Sequence, residues 1–130
     1  MPPTPRATFP KTLHLAGPAT FRAHYAHGHR ETAGPLVALA LASPHPYTRL
    51  GLSVPNKVGP ATTRNRLRRL LREAFRLSRA THPEHVDLVL LIRPHKEKPL
   101  AEYQQLLATL LTKVTRQAAA TPLPTVPPAD

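Results

Sequence analysis

A two-layer α+β sandwich, with helices packed on one small mixed sheet, is the fold class predicted by this chain of 130 residues. Three observations predict it. The segments Thr62 to Arg79 and Leu100 to Ala118 carry apolar residues at helical spacing. Pro35 to Ser43 and Val86 to Ile92 are short, continuous apolar runs of the kind that buried strands make. Between Tyr47 and Ile92, strand, helix and strand signals follow one another, the order of a parallel pair joined by a helical crossover.

Proline marks the ends, with four of the 17 prolines in the first ten residues and four in the last ten. Residues 1–12 are therefore expected to be a proline-rich extension, 13–118 a single domain, and 119–130 a disordered or polyproline-like tail. Pro18 suits the first position of a short helix ending near His27, and Gly28 suits the residue just beyond it. Phe21 and Tyr25, four residues apart, share one face of that helix. The run Pro35 to Ser43, bounded by Gly34 and Pro44, favours a buried strand, although its Ala and Leu leave a helix open. Ser43-Pro44-His45-Pro46 reads as a turn. Tyr47 to Val54 alternates and is expected to be a strand antiparallel to the one before it, followed by a loop over Pro55 to Pro60.

Thr62 to Arg79 places Leu67, Leu70, Leu71, Ala74 and Phe75 on one helical face, with Thr62 or Thr63 as the expected cap. Val86 to Ile92 is too short and too uniformly apolar for a surface helix and is expected to be a central strand. The last helix, opening at Pro99, should bury Leu100, Tyr103, Leu106, Leu107, Leu110, Leu111 and Val114.

The charge balance, 18 Lys and Arg against 7 Asp and Glu, gives a net +11. A small domain with that charge repels itself unless it meets a polyanion. With no cysteine, a disulfide scaffold, a thiolate metal site and a cysteine nucleophile are excluded. No apolar run approaches the ~18 residues of a membrane span, and the N-terminus lacks the apolar stretch of a signal peptide. Glu31, Glu73, Glu84, Asp87, Glu97, Glu102 and Asp130 form no close pair suited to two-metal hydrolysis. There is no glycine-rich phosphate loop and no nucleophile elbow. His24, His27 and His29 lie at a helix end without a spaced partner, so they read as surface imidazoles rather than metal ligands.

The cations are focused. Thr63 to Arg79 holds seven arginines and one glutamate. Asn65, Arg68, Arg69, Arg72 and Arg76 fall together opposite the apolar face. The like charges Arg68–Arg72 and Arg72–Arg76, four residues apart, oppose an isolated helix, so a polyanion is expected to relieve them. Guanidinium forks grip phosphate bidentately and stack on bases. Arg64 and Arg66 occupy the first turns, where free backbone N–H groups would join them in an anion cradle. A membrane-surface helix fails as a reading because the apolar face is needed inside the domain.

The ordered set Arg49-Leu50-Gly51-Leu52-Ser53-Val54, Asn56-Lys57-Val58-Gly59 and Arg64-Asn65-Arg66-Leu67-Arg68-Arg69-Leu70-Leu71-Arg72-Glu73-Ala74-Phe75-Arg76, with Phe9-Pro10-Lys11 through Phe21 before it, resembles the protein component of bacterial ribonuclease P. The likeness covers about Phe9 to Arg116. It implies an α-β-β-β-α-β-α domain with a left-handed βαβ crossover. It also implies an RNA-binding subunit that assembles with a large catalytic RNA, as a monomer in a 1:1 complex in the cytoplasm, and promotes removal of the 5′ leader from precursor tRNA. Mg²⁺ bound mainly by the RNA would do the chemistry, with no organic cofactor and no catalytic protein residue. Lys57, Arg64, Asn65, Arg66, Arg68, Arg69, Arg72 and Arg76 are the implied RNA-subunit contacts, and Phe21 and Tyr25 the implied leader contacts. Two departures stand out: Asn56 replaces one of a lysine pair in the loop, and His14 replaces an arginine. A structural RNA binder of ribosomal type, without a substrate role, is the alternative; a free-standing nuclease and a DNA-binding helix fit less well.

Overall fold

The computed structural model describes residues 15, 17–79 and 82–125. His14 and the proposed 1–12 extension lie outside the described residues. In chain order the elements are α1 (Pro18–His27), β1 (His29–Ala33), β2 (Leu36–Ala42), β3 (Arg49–Ser53), a 3-10 turn (Asn56–Val58), α2 (Ala61–Leu77), β4 (Val86–Ile92) and α3 (Leu100–Ala120). This is the α-β-β-β-α-β-α order, with one mixed sheet of four strands arranged β1-β2-β4-β3.

β3 and β4 are parallel, from Arg49↔Asp87 to Ser53↔Leu91, with α2 as the crossover between them. β2 and β4 are antiparallel, from Leu36↔Ile92 to Ala42↔Val86. β3 therefore runs opposite to β2, but the two are not neighbours: β4 lies between them and is the central strand expected. Hydrophobic periodicity does not register β1, because His-Arg-Glu-Thr-Ala holds a single apolar residue. It pairs with β2 across the Gly34-Pro35 turn, where Gly34 adopts φ 55°, a conformation that suits glycine.

Alternate residues of the sheet face two cores. Leu36, Ala38, Ala40, Leu50, Leu88, Leu90 and Ile92 pack against Leu67, Leu71, Ala74 and Phe75 of α2 and Tyr103, Leu107, Leu110, Leu111 and Val114 of α3. Val37, Leu39 and Val89 face the other way, against Leu15 and Phe21. α2 and α3 thus form the helical layer of the sandwich, while α1 crosses the opposite face. Leu100 and Leu106, expected in the core, pack at its margin.

Two local expectations, the cap of α2 and the end of the domain, are corrected. Neither Thr62 nor Thr63 caps α2; extended Pro60 precedes the helix and its carbonyl accepts the Arg64 N–H at 3.0 Å. Gly28 does stand just beyond α1, as expected; its φ of −68° is ordinary, and it is glycine for want of space, since a Cβ there would lie 2.6 Å from the His24 carbonyl oxygen. The domain does not stop at 118, nor is the whole of 119–130 a loose tail. α3 continues to Ala120, Leu123 is buried in the main core, and the Ala42 N–H donates to the Pro124 carbonyl at 2.8 Å. One leucine and one backbone acceptor are enough to draw the start of the proline-rich segment onto β2.

The C-terminus of α2 is closed by His82, whose ring stacks on Phe75 at 3.9 Å and whose Nε2–H donates to the Phe75 carbonyl at 2.7 Å. Burial pushes the His82 imidazolium below its ordinary pKa. The unfolded chain therefore binds more protons below about pH 6.5, so stability falls as pH drops through that region. Chemical denaturation of wild type and His82→Gln between pH 5 and 7.5 should give a shallower pH dependence in the variant; parallel curves would overturn this assignment.

Candidate nucleic-acid interface

The arginine helix is presented as the sequence predicts. Leu67, Leu71, Ala74 and Phe75 are buried, whereas Asn65, Arg66 and Arg69 are exposed and Arg64, Arg68, Arg72 and Arg76 half-buried. None of the arginines points into the core. Arg68 Nη1 donates to Asn65 Oδ1 at 2.8 Å, and Arg64 Nε donates to the Gly59 carbonyl at 3.1 Å. This last bond folds Arg64 back over the turn that carries exposed Lys57, joining loop and helix into one cationic surface.

Carboxylates neutralise only part of that surface. Glu73 grips Arg76 through two bonds of 2.5 and 3.1 Å, which holds the glutamate below the usual carboxylate range and raises the arginine further. Arg66 lies 3.3 Å from Glu97, an exposed pair that solvent screens. Lys57, Arg69 and Arg72 make no hydrogen bond or ion pair among the described residues. Arg76 is thus the least available of the expected contacts, and Arg69 and Arg72 the most. No side-chain cap occupies the first turn of α2, so its free N–H groups add to the positive potential there.

Phe21 and Tyr25 lie across the sheet from that surface. Phe21 packs against the cluster of Leu15, Val37, Leu39 and Val89, and its ring closes over Gly51 of β3. A Cβ on Gly51 would lie 2.8 Å from Phe21 Cε1 and 3.1 Å from the Leu15 carbonyl, so the close approach of α1 requires glycine. Tyr25 keeps 48% of its surface exposed, and its hydroxyl hydrogen-bonds Ser53 Oγ at 2.8 Å. The two rings serve different ends: Phe21 seats the helix, and Tyr25 offers an aromatic face to solvent above the edge of β3.

Three features of this neighbourhood had no clear sequence signal. His24, read as a surface imidazole, is buried, with Nδ1 2.8 Å from the Thr20 carbonyl and Nε2 3.1 Å from the Asp87 carbonyl. Asp87 also takes Arg49 in a two-pronged pair of 2.6 and 2.8 Å across the parallel strands. The Leu15 N–H donates to the Leu50 carbonyl at 2.9 Å and so occupies part of the free edge of β3. Together these contacts fix α1 over the sheet. All three depend on pairings that only the folded chain brings together.

Residues 9–115 match the family model described as Ribonuclease P. The chain belongs to the ribonuclease P protein family. It is 34% identical over 115 residues to the ribonuclease P protein component of Desulfovibrio desulfuricans, covering 87% of this chain and 88% of that one. Its structure is similar to that of the RNase P protein of Staphylococcus aureus, with TM-score 0.70, 26% identity, and 80% and 96% of the two chains covered. The RNase P protein of Thermotoga maritima gives TM-score 0.69 at 28% identity, with 77% and 96% covered. As a ribonuclease P protein component, the chain acts with an RNA subunit in processing the 5′ ends of tRNA. Among the described residues, no helix is long and apolar enough to cross a membrane.

Proposed function

We propose that the chain grips the catalytic RNA with α2 and its preceding loop while α1 and the edge of β3 hold the single-stranded leader of precursor tRNA. The observation that carries this reading is the separation of the two surfaces. Unpaired guanidinium groups lie on the helical layer, and an exposed aromatic ring lies across the sheet from them. One polyanion and one unstacked strand could then be engaged at once. Lys57, Arg64, Asn65, Arg66, Arg68, Arg69 and Arg72, with Arg76 at the end, neutralise phosphates of the RNA subunit. Tyr25 and Phe21 stack on leader bases with little sequence preference.

The hydrolytic chemistry belongs to the RNA subunit and the Mg²⁺ it binds. In this reading the protein supplies no catalytic group of its own. Its contribution is electrostatic and steric: relief of phosphate repulsion where RNA and substrate crowd together, and tethering of the leader. It works as a monomer in a 1:1 complex in the cytoplasm. The deciding experiment is reconstitution with a ribonuclease P RNA, scoring leader removal as Mg²⁺ is lowered. The chain should reduce the Mg²⁺ needed, and the purified protein alone should cut nothing. Cleavage by the protein alone, or no effect on the RNA's Mg²⁺ requirement, would overturn the proposal.

A further inference from the structure

The segment joining β4 to α3, Arg93 to Pro99, carries Arg93, His95, Lys96 and Lys98 against one acid, Glu97. None of the four basic residues belongs to the surfaces described above, yet the segment is firmly built. The Arg93 N–H donates to the Pro35 carbonyl at 2.9 Å. His95 Nδ1 lies 2.7 Å from the Arg93 carbonyl, so that nitrogen holds the proton and Nε2 accepts from the Tyr103 hydroxyl at 2.7 Å. The same hydroxyl, on a fully buried ring, accepts the Lys98 N–H at 3.1 Å. Arg93 and Lys96 remain exposed, and their charged ends make no hydrogen bond or ion pair among the described residues.

Topology brings this segment beside the arginine helix. In the parallel pair Ser53 stands opposite Leu91, so the loop before α2 and the segment after β4 leave the sheet at the same end. Glu97, 3.3 Å from Arg66, ties the segment to the second turn of α2. Phe21 and Tyr25 lie on the other face of the sheet. Resting on the reading that α2 meets the catalytic RNA, we propose that Arg93–Pro99 is a second docking segment for the phosphate backbone of that RNA. Arg93 and Lys96 each neutralise a phosphate, and the Tyr103 hydroxyl acts as the positioning group that sets the loop before RNA arrives. Phosphate contacts of this kind fix register without reading sequence.

The test is equilibrium binding of the full chain to the RNA subunit, without precursor tRNA, across a salt series. Arg93→Ala/Lys96→Ala is compared with Arg68→Ala/Arg69→Ala/Arg72→Ala, after thermal melts confirm that both are folded. Two lost phosphate contacts should make the slope of log affinity against log salt shallower by about 1.4–1.8, with weaker binding at low salt. An unchanged slope for the loop variant alongside a shallower one for the helix variant would overturn the docking segment and leave the α2 reading standing. Unchanged slopes in both would overturn the two together. Intact binding to the RNA subunit with weaker binding of precursor tRNA by the assembled complex would assign the loop to substrate, which also overturns the proposal.

Discussion

Alanine at Arg68, Arg69 and Arg72 together should weaken RNA binding most where salt is lowest, while leaving the protein as stable as before or more so. If about seven phosphates are neutralised, log affinity falls with log salt at a slope near −5, roughly a thousandfold loss between 50 and 200 mM. Removing three contacts brings the slope near −3 and that loss to about fiftyfold. The stability effect runs the other way, for a reason visible in the fold. Arg69 and Arg72 have no partner among the described residues, and Arg68 holds only Asn65. Alanine removes like-charge repulsion along the helix and raises its intrinsic propensity. A folding defect predicts the opposite pairing of outcomes, so filter binding and a thermal melt on the same sample decide the matter. A salt slope equal to that of wild type would show that this face of α2 stays in solvent.

Replacing Tyr25 by alanine should lower the affinity of the assembled ribonucleoprotein for precursor tRNA and leave mature tRNA untouched. Loss of one stacked base is worth ~1–3 kcal/mol, or about fivefold to 150-fold. Tyr25 is the cleaner of the two aromatics to change, because about half of the residue's surface is exposed and its hydroxyl meets only Ser53 among the described residues. Phe21→Ala should act in the same direction but also loosen α1, since that ring closes over Gly51 and packs with Leu15. Adding Phe21→Ala to Tyr25→Ala should deepen the loss for precursor only. Equal losses for precursor and mature tRNA would favour an RNA binder of ribosomal type with no hold on the leader.

The periodic elements were legible before any coordinates. The ends of α1 follow from Pro18 and Gly28, while β4 and the apolar faces of α2 and α3 follow from spacing, because a buried strand and a helix stripe each leave a pattern in the order of residues. β1 leaves none: it is polar, short and held by its partner rather than by its own burial, and only the family resemblance supplied it. That β4 is central was readable from its uninterrupted apolar run, but that it separates β2 from β3 was not, since pairing partners are chosen by the whole sheet. At the candidate site, the segregation of the arginines was readable from a helical wheel. Which arginines are spent within the protein was not, apart from Arg76, where Glu73 sits three residues away. The Arg66–Glu97 pair, the burial of His24 and the Arg93–Pro99 segment all come from contacts between residues distant in the chain.

Insertion of Val86–Ile92 between β2 and β3 also governs the order in which the molecule can be made. On a ribosome the first half of the chain emerges with Leu36–Ala42 bare along one edge, and its partner arrives only after α2 has been synthesised. Such late, long-range pairing is slow, and an uncovered apolar strand invites self-association in the meantime. The same event that covers it draws α2 across as the crossover. A nascent chain therefore acquires solubility and its cationic docking face in a single step, and a chain truncated before Val86 should have neither.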